Sequence, residues 1–447
     1  MNGAVKEKYE LDKVVLLGFF ALGLVLAYFH TSVRSRVALT KPLELPYTGI
    51  TVRMPRGNGW LSDDSWQFTA NAFTISSILS PSAGVITASV EVRYIPAPEE
   101  IRPDQQIERY IRELDGINIE TGKIQNSDIV TEWAHIGIRT KFLDVLFGVA
   151  ELPNGRQLII ETQVPSTDVG LVRQVFEDTV RAIEVKDNNL LENGREIVEK
   201  LKTAGIAGLL AHQGQPHFYL IKDEREENLG FLTELCTVSA GQQEPDEVRF
   251  SKLYHIKTGQ ETSSGHSLFQ ADQKLRQFLW VGKTDSSGTI GESAVQIELN
   301  ENGNMIVESY MPLVSRSYSI GPAAIPEIFI EPFVMLFLES RTPDAIVDLI
   351  FSDGRIIPTR LSVINTEKTD ADIPAAHRVR LDFLDRQGYY GLMYLDENKE
   401  TFRMIIHRES TYITQRSDRR EVLKYFPVWQ DHFDRMEKQE GIQINEL

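Results

Sequence analysis

The chain has 447 residues, 42% of them hydrophobic, 25% charged and 9% aromatic, which is the composition of a folded protein of two or three domains and excludes wholesale disorder. Its 64 acidic residues outnumber its 47 basic ones, and the formal net charge of -17 argues against a nucleic-acid-binding surface. The one cysteine, Cys236, excludes an intrachain disulfide and a cysteine-based zinc site.

A short tail, 1–13, precedes a run from Val14 to Val33 that carries no permanent charge and lies between Lys13 and Arg34. As a helix such a run rises about 30 Å, the thickness of the bilayer hydrocarbon. Tyr28 and His30 sit at one end, where amphipathic side chains favour the interface. The expectation is a transmembrane helix over 14–33. A signal peptide cut after Ala27 is one alternative, ill suited to Glu7, Glu10 and Asp12; a buried core helix is the other. Lys6, Lys8 and Lys13 before the run balance Arg34, Arg36 and Lys41 after it, so only the α-amino group tips the positive-inside count. The location expected is the inner membrane, single-pass, with the body outside the cytoplasm and the lipid bilayer as partner of residues 14–33. Residues 34–47, stiffened by Pro42 and Pro46, read as a stalk.

Residues 48–186 read as one α+β domain. Ile50 to Met54 alternates and ends at Pro55, and Val90, Val92 and Tyr94 alternate in a second strand. Pro103 suits a first helical turn, after which Ile107, Ile111 and Leu114 line one helical face. Strands follow around 133–138, 144–151 and 157–164, the last two joined by Asn154-Gly155, a hairpin turn. Val172, Val175, Phe176 and Val180 then lie on one face of a closing helix. The opening GITVRMPRGNGW, the strand-then-helix order and the closing LIIETQVPSTDVGLVRQVFEDTVRAIEV resemble the PsbP/Mog1-like α+β sandwich family. That resemblance implies binding and assembly more than catalysis, and likeness of fold transfers no function.

Residues 187–214 read as a linker helix with Ile197, Leu201 and Ile206 on its apolar stripe. Residues 215–430 read as an antiparallel β domain, a meander or half-barrel, with Asn302-Gly303 and Asp353-Gly354 as hairpin turns. Midway, Ile325 to Leu338 is strongly apolar but broken by Pro326 and Pro332, and too short to span a bilayer. It reads as an apolar helix inserted on the concave side of the sheet. The functional alternative is a lid or patch in which Phe329, Phe333, Met335 and Phe337 contact an apolar ligand. By topology alone this region resembles the LolA-like unclosed β half-barrels, periplasmic lipoprotein carriers, and the resemblance implies an acyl chain bound in the concavity. Residues 431–447 form a C-terminal tail, and Arg416, Arg419 and Arg420 just before it read as a solvated face.

A search for chemistry finds no catalytic set. Phosphate-cradling glycine loops and the His-Glu-x-x-His zinc motif are absent. His212 and His217 are too isolated for a metal site. Gly265-His266-Ser267-Leu268-Phe269 begins like a hydrolase elbow, but Phe269 stands where the second glycine belongs. Asp63-Asp64 and Asp370-Ala371-Asp372 lack the remaining ligands of a calcium loop. No catalytic residue, metal ligand or cofactor is expected. The fold class expected is a membrane-anchored α+β protein: transmembrane helix, α+β sandwich and antiparallel half-barrel with an inserted apolar helix. The function expected is a non-enzymatic binding or scaffold protein of the bacterial cell envelope, engaging a protein or envelope component. A carrier of lipid or another apolar ligand is the first alternative, an unrecognised hydrolase the second.

Overall fold

The computed structural model describes residues 37–69, 71–80, 87–96, 101–152, 156–166, 169–186, 189–206, 214–239, 247–258, 261–272, 275, 278–286, 295–299, 304–310, 313–319, 321, 323–352, 354–364 and 373–437. The first unit runs through strands Ala38–Leu39 (β1), Leu43–Leu45 (β2), Ile50–Val52 (β3), Pro55–Arg56 (β4), Trp60–Ser62 (β5), Gln67–Thr69 (β6), Ala72–Leu79 (β7) and Ala88–Pro96 (β8). Helix Pro103–Glu113 (α1) follows, then Ile117–Gln125 (β9), Val130–Ile138 (β10), Leu143–Leu152 (β11), Arg156–Pro165 (β12), helix Val169–Arg181 (α2) and Glu184–Val185 (β13). The main sheet has the order β5-β7-β8-β12-β11-β10-β9, with β6 also on β7. Both its faces are covered, so β11 and β12 are buried along almost their whole length. Val145, Phe147 and Val149 meet Ile107 of α1 on one face; Leu146 and Ala150 meet Val172 and Phe176 of α2 on the other.

Helix Asn189–Ala204 (α3) leads into the second unit. Its strands are His217–Lys222 (β14), Asn228–Ser239 (β15), Glu247–Thr258 (β16), Glu261–Asp272 (β17), Phe278–Ser286 (β18), Val295–Leu299 (β19), Asn304–Tyr310 (β20), Leu313–Ser319 (β21) and Ala324–Pro326 (β22). A 3-10 turn, Glu327–Phe329, opens into helix Ile330–Ser340 (α4). There follow Asp344–Ile350 (β23), Ile356–Val363 (β24), His377–Phe383 (β25), Tyr390–Leu395 (β26), Thr401–His407 (β27), Thr411–Ser417 (β28) and helices Arg419–Tyr425 (α5) and Gln430–Glu437 (α6). Among the described residues the strands make one fifteen-stranded sheet, β21-β20-β19-β18-β17-β16-β15-β14-β28-β27-β26-β25-β24-β23-β22. Two antiparallel meanders are joined where β14 pairs with β28, and β22 lies parallel to β23.

Cross-strand pairing carries Cys236, Phe250, Phe269, Trp280 and Ile297 in one row across five strands. This row shares a core with Val347 and Leu381 of the other meander and with Ile197 and Leu201 of α3 and Phe333 and Phe337 of α4. The sheet therefore curls around the two helices. Gly194 lets α3 press against β23, because a Cβ there would collide with the Ile346 carbonyl. On the outer face Phe218, Phe231 and Leu253 are covered by Val422 of α5 and Phe433 of α6.

The two units are joined by a buried ion pair between Arg156 of β12 and Asp348 of β23, whose side chains are 3% and 0% exposed. The Tyr94 ring lies 5.4 Å under the guanidinium. Burial works against the Arg156 charge, but Asp348 and Tyr94 hold its pKa above the ordinary value. Asn71 adds a polar clamp: its side chain donates to the Gly354 carbonyl (3.3 Å) and accepts from the Ile356 amide (2.8 Å). Phe68 packs against both cores.

Several expectations are corrected. The membrane helix over 14–33 lies outside the described residues, and no described helix is long and apolar enough to cross a membrane. The longest apolar helix, α4, has 11 residues, far short of the roughly 20 that a bilayer demands. The anchored fold class and the single-pass inner-membrane location therefore have no support, and the described chain is mainly β. The stretch from Ile325 to Leu338 is not one inserted helix: it is the end of a short strand, a 3-10 turn and most of α4. Strand β17 occupies Glu261–Asp272, the stretch that holds the elbow-like motif. Gly265 is there because a side chain would meet the Tyr254 ring, so Gly265-His266-Ser267 is a strand segment and not an elbow. Arg416 is not on a fully solvated face: it belongs to β28 and lines the cavity, its side chain 31% exposed.

Removing Asp348 would leave the Arg156 charge buried without its partner. Asp348→Ala is expected to lower the unfolding free energy by about 3–5 kcal/mol, and the double change Arg156→Met with Asp348→Leu to recover most of it. Urea denaturation measures both, and an Asp348→Ala protein as stable as the parent contradicts the pairing. An exposed helical glycine gains stability on change to alanine, by ~1 kcal/mol. Gly194→Ala is expected to show the opposite sign, a loss of about 1–3 kcal/mol through overpacking against β23.

Candidate functional site

Helices α3 and α4 do not fill the concave face completely. A cavity of about 180 Å³ remains between the N-terminal turn of α4 and strands β14, β15, β16, β27 and β28. The strand positions lining it alternate: His217 and Tyr219; Leu232, Glu234 and Cys236; Phe250 and Lys252; Thr414 and Arg416. This period of two is what a single sheet face requires. From α4 come Glu331 and Met335, one helical turn apart and hence on one side of the helix. Met393, Met404 and Ile406 complete the apolar part of the wall.

Charged groups cluster at one end. Glu234 and Lys252 face each other across β15 and β16, with nitrogen and oxygen 3.6 Å apart, and Glu327 approaches the same ammonium at 3.7 Å. Burial works against the Lys252 charge, but Glu327 and Glu234 more than offset it, and its pKa lies above the ordinary lysine value. Burial raises the Glu234 carboxyl above the usual carboxylate range, with Lys252 opposing. Arg416 donates to Glu400 at 2.6 Å. Two further cations on the wall are engaged by carboxylates beyond it: Arg403 with Glu226 at 2.7 Å and Lys399 with Glu339 at 2.8 Å.

Glu331 differs from these. Among the described residues it forms no ion pair. Burial, reinforced by the negative charge of Glu234, pushes its carboxyl up to about 7. Thr401 stands beside it and is 6% exposed; its hydroxyl helps to restrain that rise but makes no well-formed hydrogen bond. Tyr219 completes this end, its phenol raised by burial and by Glu331 and Glu234.

The four apolar residues singled out in the sequence separate. Phe329, Phe333 and Phe337, spaced by four, are fully buried against the sheet, with Phe329 edge-on to Phe269 at 5.1 Å between centroids. Met335 lines the cavity. Sequence reasoning missed Glu331, although its spacing of four from Met335 on an otherwise apolar helix was a usable signal. It also missed Glu234 and Lys252, which become a pair only once β15 and β16 are in register.

Other reactive groups are poorly placed for chemistry. Burial pushes the Cys236 thiol up to about 12, so it is no nucleophile at neutral pH. On the outer face Ser251 bonds His266 at 3.1 Å, and burial lowers the His266 imidazole to about 4. His432 approaches that ring at 6.3 Å between centroids. His432 belongs to α6, which thus lies against the His266 ring. Among the described residues no group of three or more His, Cys, Asp or Glu side chains is arranged to hold a metal ion.

No protein-family model and no curated protein matches the chain. Solved structures are similar over part of it. A β-barrel-like protein of a domain of unknown function from Brucella abortus matches 45% of this chain and 95% of its own, at 13% identity and a TM-score of 0.35. PsbP from the cyanobacterium Synechocystis matches 34% of this chain and 94% of its own, at 10% identity and a TM-score of 0.26. A crystal structure from Bacteroides thetaiotaomicron matches 39% of this chain and 64% of its own, at 10% identity and a TM-score of 0.24. At these scores the likenesses bear on no activity. A PsbP structure is thus among the chain's neighbours.

Proposed function

We propose that this chain is a non-enzymatic binding protein that takes a small amphipathic ligand into the cavity on the concave face of its larger sheet. The observation that carries this reading is the wall itself. It combines apolar, methionine-rich surface, through Met335, Met393 and Met404, with charged groups, Glu234, Lys252 and Glu331 among them. A few polar groups set in an apolar concavity are the usual make-up of a small-molecule site. Methionine suits a wall that adapts to its occupant.

The size limits the ligand. Pockets for drug-sized molecules run from about 300 to 1,000 Å³, and an apolar cavity of about 150 Å³ accepts benzene. At about 180 Å³ this cavity favours a compact molecule over a long acyl chain. The thiol of Cys236, held protonated by burial, favours binding over turnover.

Single-ring fragments are expected to raise the melting temperature of the protein in a dose-dependent way, since a ligand of the native state alone stabilises it by mass action. Met335→Trp and Met404→Trp, which fill the cavity from α4 and from β27, are each expected to abolish the shift. Calorimetric titration supplies the affinity. A full fragment panel without a shift would refute the reading, and so would a shift that survives both tryptophans.

A further inference from the structure

We propose that Glu331 receives the cationic head of the ligand, so that the cavity selects a small ammonium compound with an apolar body. The inference rests on the ligand-binding reading above and narrows it to one chemical class.

The ion pairs of the wall carry the argument. Lys252 is shared between Glu234 and Glu327, Arg416 is held by Glu400, and Arg403 and Lys399 are engaged by Glu226 and Glu339 outside the cavity. Every one of these cations already has a carboxylate, which leaves none of them idle to receive an anion. Glu331 is the carboxyl of the wall without an ion-pair partner among the described residues. Counting only groups whose partners lie inside, the carboxylates Glu234, Glu327, Glu331 and Glu400 face the two cations Lys252 and Arg416. Arg403 and Lys399 also line the cavity but are turned to the outside carboxylates Glu226 and Glu339, so the excess of negative charge is local to Glu331, which has no ion pair among the described residues.

A second observation points the same way. The Thr401 hydroxyl is buried, lines the cavity and makes no well-formed hydrogen bond. An ammonium carries several N–H donors; one can reach the Glu331 carboxylate and another the Thr401 oxygen. The apolar body would then lie along Met335, one helical turn from Glu331, toward Met404 and Ile406.

The raised carboxyl of Glu331 gives the site a pH signature with a definite sign. The ammonium binds the ionised form, which prevails above about pH 7 and disappears below it. Affinity should therefore fall as the solution is acidified, by about tenfold between pH 8 and pH 6. The groups facing Glu331 are Glu234 and Lys252 from β15 and β16, Tyr219 and Arg416 from β14 and β28, and Thr401 from β27. Tyr219, Lys252 and Arg416 are all shifted upward, further from neutrality, while burial raises the Glu234 carboxyl with Lys252 opposing; His217 lines the same wall.

The test is calorimetric titration of the full chain with benzylamine, benzyl alcohol and benzoate at pH 8 and pH 6. The expected order at pH 8 is benzylamine at least tenfold tighter than benzyl alcohol, with benzoate weakest. Glu331→Gln, nearly isosteric, is expected to bring benzylamine level with the alcohol and to remove the pH dependence. The comparison of the three probes on the parent protein stands even if that variant fails to fold. Equal binding of the three, preference for benzoate, or a pH dependence that persists in Glu331→Gln overturns the assignment while leaving the cavity as a binding site. No binding of any probe overturns both.

Discussion

A sheet fifteen strands wide has an apolar face too large to leave in water, and covering that face determines the rest of the second unit. Backbone pairing sets the width; it does not say what lies inside the curl. That role falls to α3 and α4, whose apolar faces meet residues from both meanders in one core. Gly194 brings the first helix close enough, and the phenylalanines at 329, 333 and 337 fix the rotation of the second. Two straight helices cannot fill the inside of a curved sheet completely. The space left over is the cavity, which is a consequence of the architecture before it is a feature of function.

The junction between the units follows a different logic. An ion pair taken out of water contributes little net stability, because the cost of desolvating two charges offsets their attraction. What the Arg156–Asp348 pair supplies is direction. The tip of the β11–β12 hairpin can dock where an aspartate waits on β23 and at few other places, and an error in register would strand a charge. The Asn71 clamp to Gly354 and Ile356 works the same way, with backbone groups in place of charges. The units thus sit against each other by recognition, with Phe68 as the shared apolar contact.

Much of this architecture was legible in the sequence where periodicity is strong. The alternation through Val90, Val92 and Tyr94, and the helical spacing of Val172, Val175 and Phe176, correspond to elements of the first unit. Strand β17 was not legible, because Ser263, Ser264, His266 and Ser267 lack apolar alternation. Its extended form comes from hydrogen bonds to β16 and β18, which no local pattern announces. The uncharged run behind Lys13 shows the opposite failing: a composition that reads plainly, with no described helix to match it. The site was hidden for a related reason. In a strand, Glu234 and Lys252 look like the solvated side of an alternation, and only the curl of the sheet turns that side inward. Arg416 misleads in the same way, since three arginines in five residues look like surface until β28 pairs with β14.

Charge inside such a curl must be compensated, because a buried ionised group without a partner is costly. Lys252 is compensated twice over, and Arg416 by Glu400, whereas Glu331 is not. Glu331 is half-buried, and its raised carboxyl marks it as the least compensated acid of the wall, the kind of perturbed group that collects at functional sites. Its position makes it useful. The buried phenylalanine face clamps α4 against the sheet, and the opposite flank, carrying Glu331 and Met335, is thereby held at a fixed orientation toward the cavity. One helix supplies both the polar contact and the apolar wall, and neither has to be ordered when a ligand arrives. Affinity from so small a cavity depends on that preorganisation, because a compact molecule offers little area with which to offset the entropy lost on binding.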